Sequence, residues 1–347
     1  MAESSRVTLS DIAERLDLTK VSISKALRDH PDISTETKAK VQEAAREMGY
    51  TPNRLARSLT TNRTATIGVV VPKLDHNFFA DALQGINERA SEHDYEIILC
   101  VSEEQEAAER RHLRTLLSMQ VDGLLISVSE ETESVDIFEQ IEEEEVPLVF
   151  FDRVLDSVSA SRVVVDDEKG AYQATEHALQ AGHDTIAHVA GTSNVGIGQR
   201  RRAGYEAALR EYGIPVDEAL IVEGGFDEMH GYRGTNALLE RGRVPDAIFA
   251  VTFPVALGVG DAIREQDHLR QEDIQIYSFG QHGLNRFFAY PHVSICQPAQ
   301  KMGREAFSML LDEMRDPNRE PREIQIPTHV IEPDDITPPY LKERGEG

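Results

Sequence analysis

Residues 7–28, VTLSDIAERLDLTKVSISKALR, constrain this chain more than any other segment. The spacing predicts two short helices with a tight joint. Thr8 or Ser10 can cap the first, and Ile12, Ala13 and Leu16 recur at helical intervals. Asp17-Leu18-Thr19 breaks that pattern. Thr19 then caps a second helix that turns Ser22, Ile23, Ala26 and Leu27 inward and Lys20, Val21, Ser24 and Lys25 outward. Taken alone, such a pair also suits a small helical hairpin that touches nothing. A short helix showing lysines and hydroxyls outward, braced by a preceding helix, fits a DNA major groove. There lysine donates to guanine acceptors, serine reads either strand, and Val21 can meet a thymine methyl.

The following residues extend the unit. Ser34 caps a third helix with Glu36 and Thr37 in its first turn and Val41, Ala44, Ala45 and Met48 as its buried stripe. Gly49 ends it, and Tyr50-Thr51-Pro52 turns the chain outward. The piece NRLARSL at 53–59 is basic, amphipathic and too short to hold a helix unaided.

The order and spacing of TLSDIA, TKVSISK, STET and GYTPNRLARSL resemble the headpiece of the lactose-repressor (LacI/GalR) family of bacterial transcription regulators. The likeness extends over nearly the whole chain. It implies a helix-turn-helix headpiece at 1–52, a hinge at 53–63, and a body at 64–347 made of two doubly wound parallel-sheet lobes of the periplasmic-binding-protein-like type. The first lobe would take about 64–161 and 293–322, the second about 162–292 and 323–340. In the headpiece the resemblance assigns DNA contacts to Thr8, Thr19, Lys20, Val21, Ser22, Ser24 and Lys25. In the hinge it assigns them to Asn53, Arg54, Ala56 and Leu59, with Leu59 a wedge in the minor groove at the centre of a palindromic operator. The hinge would then fold only on DNA. The family usually has arginine where this chain has Lys25, which weakens bidentate guanine reading here.

Composition bounds the rest. The 347 residues suffice for a headpiece and two α/β lobes. No run of eighteen apolar residues predicts a membrane helix, and the N-terminus lacks a signal pattern, so a cytoplasmic protein is expected. The two cysteines, Cys100 and Cys296, sit in apolar strand-like runs and read as buried free thiols. The net charge is −25, but unevenly spread: residues 1–63 hold 11 basic and 9 acidic side chains, the remainder 25 and 52. That keeps the DNA-facing charge at one end of an otherwise repelling chain. The acidity fits either a salt-rich cytoplasm, where screening shortens the fields, or an ordinary acidic protein.

From residue 66 onward, apolar strand-like runs alternate with amphipathic helices. The runs are 66–71, 96–101, 122–127, 147–151, 162–165, 185–190, 247–251 and 274–279. This alternation argues for parallel doubly wound sheets, whose ligands lie beyond the strands' carboxyl ends. The residues found there are Asn77 and Phe78, Asp152 and Arg153, Thr252 and Phe253, Gln281, Gln297, and the glycine-bearing run 191–205 containing Arg201. By motif, Phe78, Asp152, Arg201 and Gln297 match the family's effector positions, Arg201 because it stands three before Gly204-Tyr205. Two departures matter. Thr252-Phe253 replaces the usual Asn-Asp, and Ser278-Phe279-Gly280 replaces the usual Gly-Phe-Asp, which removes a carboxylate that clamps sugar hydroxyls.

The reading that follows is a homodimeric, operator-binding regulator, by family habit a repressor, with a small effector between two lobes. A sugar or sugar derivative is the first choice, and other metabolites remain open. The alternatives are a solute-binding protein, which would need a signal peptide and no headpiece, and a sugar-processing enzyme, which would need a catalytic set. No phosphate-loop, nucleophile-elbow or metal-ligand pattern stands out, so no cofactor is expected and no enzyme activity.

Overall fold

The computed structural model describes residues 7–27, 29–50, 63–74, 77–266, 269, 274–280 and 292–332. The chain divides into two compact units, Met1–Thr64 and Ala65–Gly347.

In the first unit, α1 (Leu9–Leu16), α2 (Lys20–Leu27) and α3 (Thr35–Glu47) close around Ile12, Ile23, Ala26 and Val41. Thr8, rather than Ser10, stands at the start of α1. Its amide N–H and hydroxyl both donate to the Asp11 carboxylate, at 2.7 and 2.9 Å. Asp17 adopts a left-handed φ of 52°, which lets the chain leave α1 sharply, and Leu18 N–H then bonds the Ala13 carbonyl. Thr19 Oγ1 accepts from Ser22 N–H at 3.1 Å and caps α2, as its sequence predicts. Ser34 does the same for α3 through Thr37 N–H. Each cap satisfies amides that a short helix leaves orphaned.

The second unit holds two six-stranded sheets. In chain order its strands are β1 (Thr66–Val71), β2 (Glu96–Val101), β3 (Gly123–Ile126), β4 (Leu148–Phe151), β5 (Ser161–Val165), β6 (Ile186–Gly191), β7 (Ile221–Gly224), β8 (Ala247–Ala250), β9 (Gln275–Phe279), β10 (His292–Cys296), β11 (Glu323–Ile326) and β12 (His329–Ile331). The helices that follow α3 are α4 (Asn77–Ser91), α5 (Glu106–Ser118), α6 (Asp136–Glu143), α7 (Asp167–Gln180), α8 (Gly196–Glu211), α9 (Glu228–Glu240), α10 (Phe253–Arg264) and α11 (Ala299–Arg315). The first sheet runs β11-β5-β4-β3-β1-β2 and the second β12-β10-β9-β8-β6-β7. The pairings are parallel except β10 with β12. Continuous apolar strands such as TIGVVV and GLLI are buried on both faces, as parallel sheets covered by helices require.

Strand membership differs from the expected lobe boundaries in three places. Residues 162–165 lie in β5, which pairs with β4 in the first sheet and not the second. Residues 323–326 join that same sheet, Glu323 opposite Arg162. Strand β10 at 292–296 stays in the second sheet beside β9. The chain therefore passes between the lobes at Asp166, at Gln297-Pro298 and at Pro327-Thr328. Two of these passages touch: Asp166 N–H bonds the Ile326 carbonyl at 3.0 Å, and the Thr328 hydroxyl reaches the Asp166 carbonyl at 3.5 Å. Helix α11 packs on the first lobe, as expected, and Phe307 and Leu310 enter that lobe's core. At the crossing of α11 with α4 there is room for glycine alone, since a Cβ on Gly85 would stand 2.0 Å from the Gln300 carbonyl oxygen.

Cys100 is only half-buried, because β2 is the edge of its sheet and its apolar residues are partly exposed. Cys296 is buried, and both thiols are free. Among the described residues no helix is long and apolar enough to cross a membrane.

Candidate functional site

Each sheet reverses its strand order beside its first strand, β1 in one and β6 in the other. Crevices beyond the carboxyl ends of strands at such points are where open α/β sheets bind ligands. The two crevices face a common cleft of about 180 Å³. From the first lobe it receives Asn77, Phe78 and Phe79 in the first turn of α4, and Asp152 and Arg153 after β4. From the second lobe it receives Ile197 and Arg201 on α8, and Thr252, Phe253 and Leu257 around the start of α10. Phe279 and Gly280 close the end of β9, and Gln297 comes from a passage between the lobes. Of the nine residues expected at an effector site, eight line this cleft, and Gln281 lies outside the described residues.

Asp152 is 5% exposed and holds a left-handed φ of 61°, a strained turn for a residue with a side chain. Its carboxylate bonds no other described residue. Burial pushes the carboxyl up to about 6, against the pull of Arg153, Arg201 and Arg200; Asp167 adds to the rise.

The arginines beside it are partly engaged, and Arg153 Nε is buried without a hydrogen-bond partner among the described residues. Arg153 donates to both oxygens of Glu104 at 3.0 and 2.8 Å, and its guanidinium lies 4.8 Å from the centre of the Phe226 ring across the cleft. Arg201 is 1% exposed. Its Nε and Nη2 meet Asp167 Oδ1, both at 2.8 Å, and Nη1 donates to the Val251 carbonyl at 2.6 Å. The same guanidinium covers the Phe279 ring at 3.7 Å. Sequence reading placed Arg201 correctly at the cleft but not its commitment to Asp167.

Gly280 has φ of 117°, and a Cβ there would come within 3.1 Å of Phe253 Cβ. Glycine thus lets the end of β9 pass close beneath Phe253. Behind this wall, His292 donates to or accepts from the Ser278 hydroxyl at 2.8 Å, and burial depresses it to about 3. His188 stacks on Phe249 with ring centres 4.6 Å apart and bonds the Phe249 carbonyl, and burial depresses it to about 4.

Phe226 and Glu228 also line the cleft and were missed from sequence. They follow β7, a four-residue, partly exposed edge strand whose IVEG carries no clear period. The run GGFDE at 224–228 offered the one usable signal, glycines and an aspartate between strand and helix.

In the headpiece, Val21 is 65% exposed on α2, while Ile23 and Ala26 are fully buried. Lys20, Val21, Ser24 and Lys25 thus stand off the core. Lys25 pairs with Asp32 at 2.8 Å, and the Thr19 and Ser22 hydroxyls bond each other at 2.9 Å within the cap. Asn53, Arg54, Ala56 and Leu59 lie outside the described residues. Among the described residues no cluster of histidine, cysteine and carboxylates is arranged to hold a metal ion.

Comparison with known proteins agrees with this geometry. Residues 8–53 match the family described as "Bacterial regulatory proteins, lacI family", and residues 64–334 match "Periplasmic binding proteins and sugar binding domain of LacI family". Catabolite control protein A of Priestia megaterium is 30% identical over 327 residues, covering 94% of this chain and 98% of its own. Among solved structures, a transcriptional regulator CelR–cellobiose complex aligns with a TM-score of 0.71 at 27% identity, covering 94% of this chain and 98% of that one. A lac repressor dimer bound to operator and the anti-inducer ONPF shares the fold, with a TM-score of 0.83 at 24% identity over 96% of this chain and all of that one.

Proposed function

The chain belongs to the lacI family of bacterial regulatory proteins, a DNA-binding transcription regulator with an effector-binding body, and from that premise we propose how its parts act. It is a homodimeric repressor acting in the cytoplasm, and it reads a two-fold operator with a pair of headpieces. Helix α2 enters the major groove with Lys20, Val21, Ser24 and Lys25 toward the bases. Lys25 exchanges its Asp32 partner for DNA, so its contribution is smaller than that of Lys20. The hinge around Leu59 seats in the minor groove between half-sites.

The single observation that carries this is the division of α2, with Val21 in solvent on one side and Ile23 and Ala26 fully buried on the other. A helix of only eight residues is held rigid by its neighbours and shows its other face outward. The half-exposed apolar edge strand β2 supports dimerisation through the first lobe.

A small effector occupies the cleft, with Asp152 and Gln297 accepting or donating hydrogen bonds and Phe78 and Phe253 supplying apolar contact. Closing or opening the lobes resets the spacing of the two hinges and hence operator affinity. The ligand is released unchanged, since a regulator performs no turnover.

The test is operator binding by fluorescence anisotropy after selecting sites from genomic fragments. Lys20→Ala should weaken binding to the selected sites by about 1–3 kcal/mol and relax specificity at the base position that Lys20 reads. Leu59→Ala should weaken specific binding while leaving effector binding intact. Unchanged operator affinity in both variants would refute the headpiece assignment.

A further inference from the structure

Glu104, Glu130 and Arg153 follow β2, β3 and β4, at the carboxyl ends of strands of one sheet. The Glu104 carboxylate joins them: it accepts from the Glu130 N–H at 2.8 Å and from Arg153 Nη1 at 3.0 and 2.8 Å. Opposite stands the turn between β7 and α9, on the second lobe. Glu130 Oε1 lies 3.5 Å from where a Cβ on Gly225 would be, and the Arg153 guanidinium carbon lies 4.8 Å from the centre of the Phe226 ring.

Both partners of that last contact are buried and fixed in their own lobes. Phe226 belongs to the apolar core of the second lobe, and its carbonyl accepts from the Thr252 hydroxyl at 3.1 Å. Arg153 is tied to Glu104 in the first. A guanidinium over an aromatic face is attracted by the ring's quadrupole, more strongly where water is excluded. The planar group can lie on the ring while its tip stays on Glu104. An ammonium, a compact and strongly hydrated charge, cannot hold both at once. Arg153 Nε has no partner among the described residues, so a hydroxyl or anion in the cleft can bond to the same group. Like charge opposes the contact. Burial raises the Glu130 carboxyl, and Glu104 and Asp227 add to the rise, while Arg153 and Lys73 counter it. Asp227 stands on the second lobe, so carboxylates of the two walls repel each other and Arg153 offsets this.

We propose that Arg153 and Phe226 form a latch across the cleft, which biases the two lobes toward closure and through them tunes operator affinity. The latch is separate from the chain passages at Asp166, Gln297-Pro298 and Pro327-Thr328, so it can open while those hold. Its link to operator affinity rests on the reading above, in which lobe closure resets the hinges.

Hydrogen exchange read by mass spectrometry on the full-length protein tests the latch, because it reports each wall separately. The variants are Phe226→Leu, which keeps apolar bulk and loses the ring, Arg153→Lys, which keeps the charge and loses the flat face, and the two together. The expected effect crosses the cleft. Phe226→Leu should speed exchange about tenfold in the first-lobe peptide 127–133, which holds the Glu130 amide, and Arg153→Lys should do the same in the second-lobe peptide 226–233. The double variant should add little to either change. Affinity for the selected operator sites should shift several-fold in all three proteins.

Faster exchange confined to the lobe that carries the substitution would overturn the latch, since a packing defect stays local. Additive effects in the double variant would overturn the pairing of these two residues. Exchange that crosses the cleft with operator affinity unchanged would leave the latch standing and overturn its link to the hinges. Circular dichroism on each variant separates a folding defect from a lost contact. Arg153→Lys, at the cleft wall, keeps the test decisive if Phe226→Leu fails to fold.

Discussion

Asp152→Asn should make the protein more stable at neutral pH, and by an amount that depends on pH. The carboxyl titrates at 3.8 when solvated and about 6 in the fold, because it is 5% exposed and burial penalises its charge. The folded state therefore binds the proton more tightly than the unfolded chain. The contribution of this group to stability is greatest below 3.8, falls as pH rises through the window to about 6, and is level above it. At about 1.4 kcal/mol per pH unit, the window amounts to about 3 kcal/mol. Asparagine has nearly the same shape, carries no charge, and tolerates a left-handed φ as well as aspartate does. The variant escapes the penalty, and its advantage over wild type should be about 3 kcal/mol at pH 8 and roughly half of that at pH 5. Urea unfolding followed by circular dichroism at both pH values measures the gap, and taking the difference between proteins cancels other titrating groups. A gap that does not change with pH, or an asparagine variant less stable at pH 8, would refute the account of Asp152 as a buried, unpaired carboxylate.

Removing Arg201 should act in the opposite direction. Arg201→Met leaves Asp167 buried with only the longer Arg200 contact, at a cost of about 3–5 kcal/mol, and adding Asp167→Asn should recover much of it in a double-mutant cycle. His188 and His292 take up protons near 6.5 when unfolded but only near 4 and 3 in the fold. Stability should therefore drop as pH falls below 6.5, by about 1.4 kcal/mol per unit for each histidine, and His188→Gln should flatten that slope in the same urea assay. If the acidic body is suited to concentrated salt, thermal midpoints should rise steeply toward molar KCl, whereas a flat salt dependence would assign the −25 charge to ordinary acidity.

The parts of this molecule that local chemistry specifies were legible in its sequence. Caps at Thr19 and Ser34, the split faces of α2 and the doubly buried strands follow from a few neighbouring residues each. Lobe membership does not. RVVV at 162–165 looks like the start of a new sheet, because nine residues, 152–160, separate β5 from β4. Only pairing with β4, and with β11 some 160 residues later, places it in the first sheet. The same holds within the cleft. The spacing before Gly204-Tyr205 points to Arg201, but nothing nearby says that its charge is consumed by an aspartate on a different helix. Phe226 and Glu228 escaped because a short edge strand leaves no periodic trace.

The three passages between the lobes also set an order of assembly. Strands β6 to β10 occupy one uninterrupted stretch, 186–296, so the second sheet can assemble all but its antiparallel edge before the residues that follow Cys296 leave the ribosome. The first sheet cannot. Its edge strand β11 and the helix that places Phe307 and Leu310 against Val149 and Phe151 are synthesised last. A nascent chain thus carries an unfinished apolar core throughout translation of the second lobe, the kind of species that aggregates or engages chaperones. Although it is encoded first, the first lobe is the last to be sealed, and a chain stopped near Pro298 would keep a nearly finished second sheet beside an open first core.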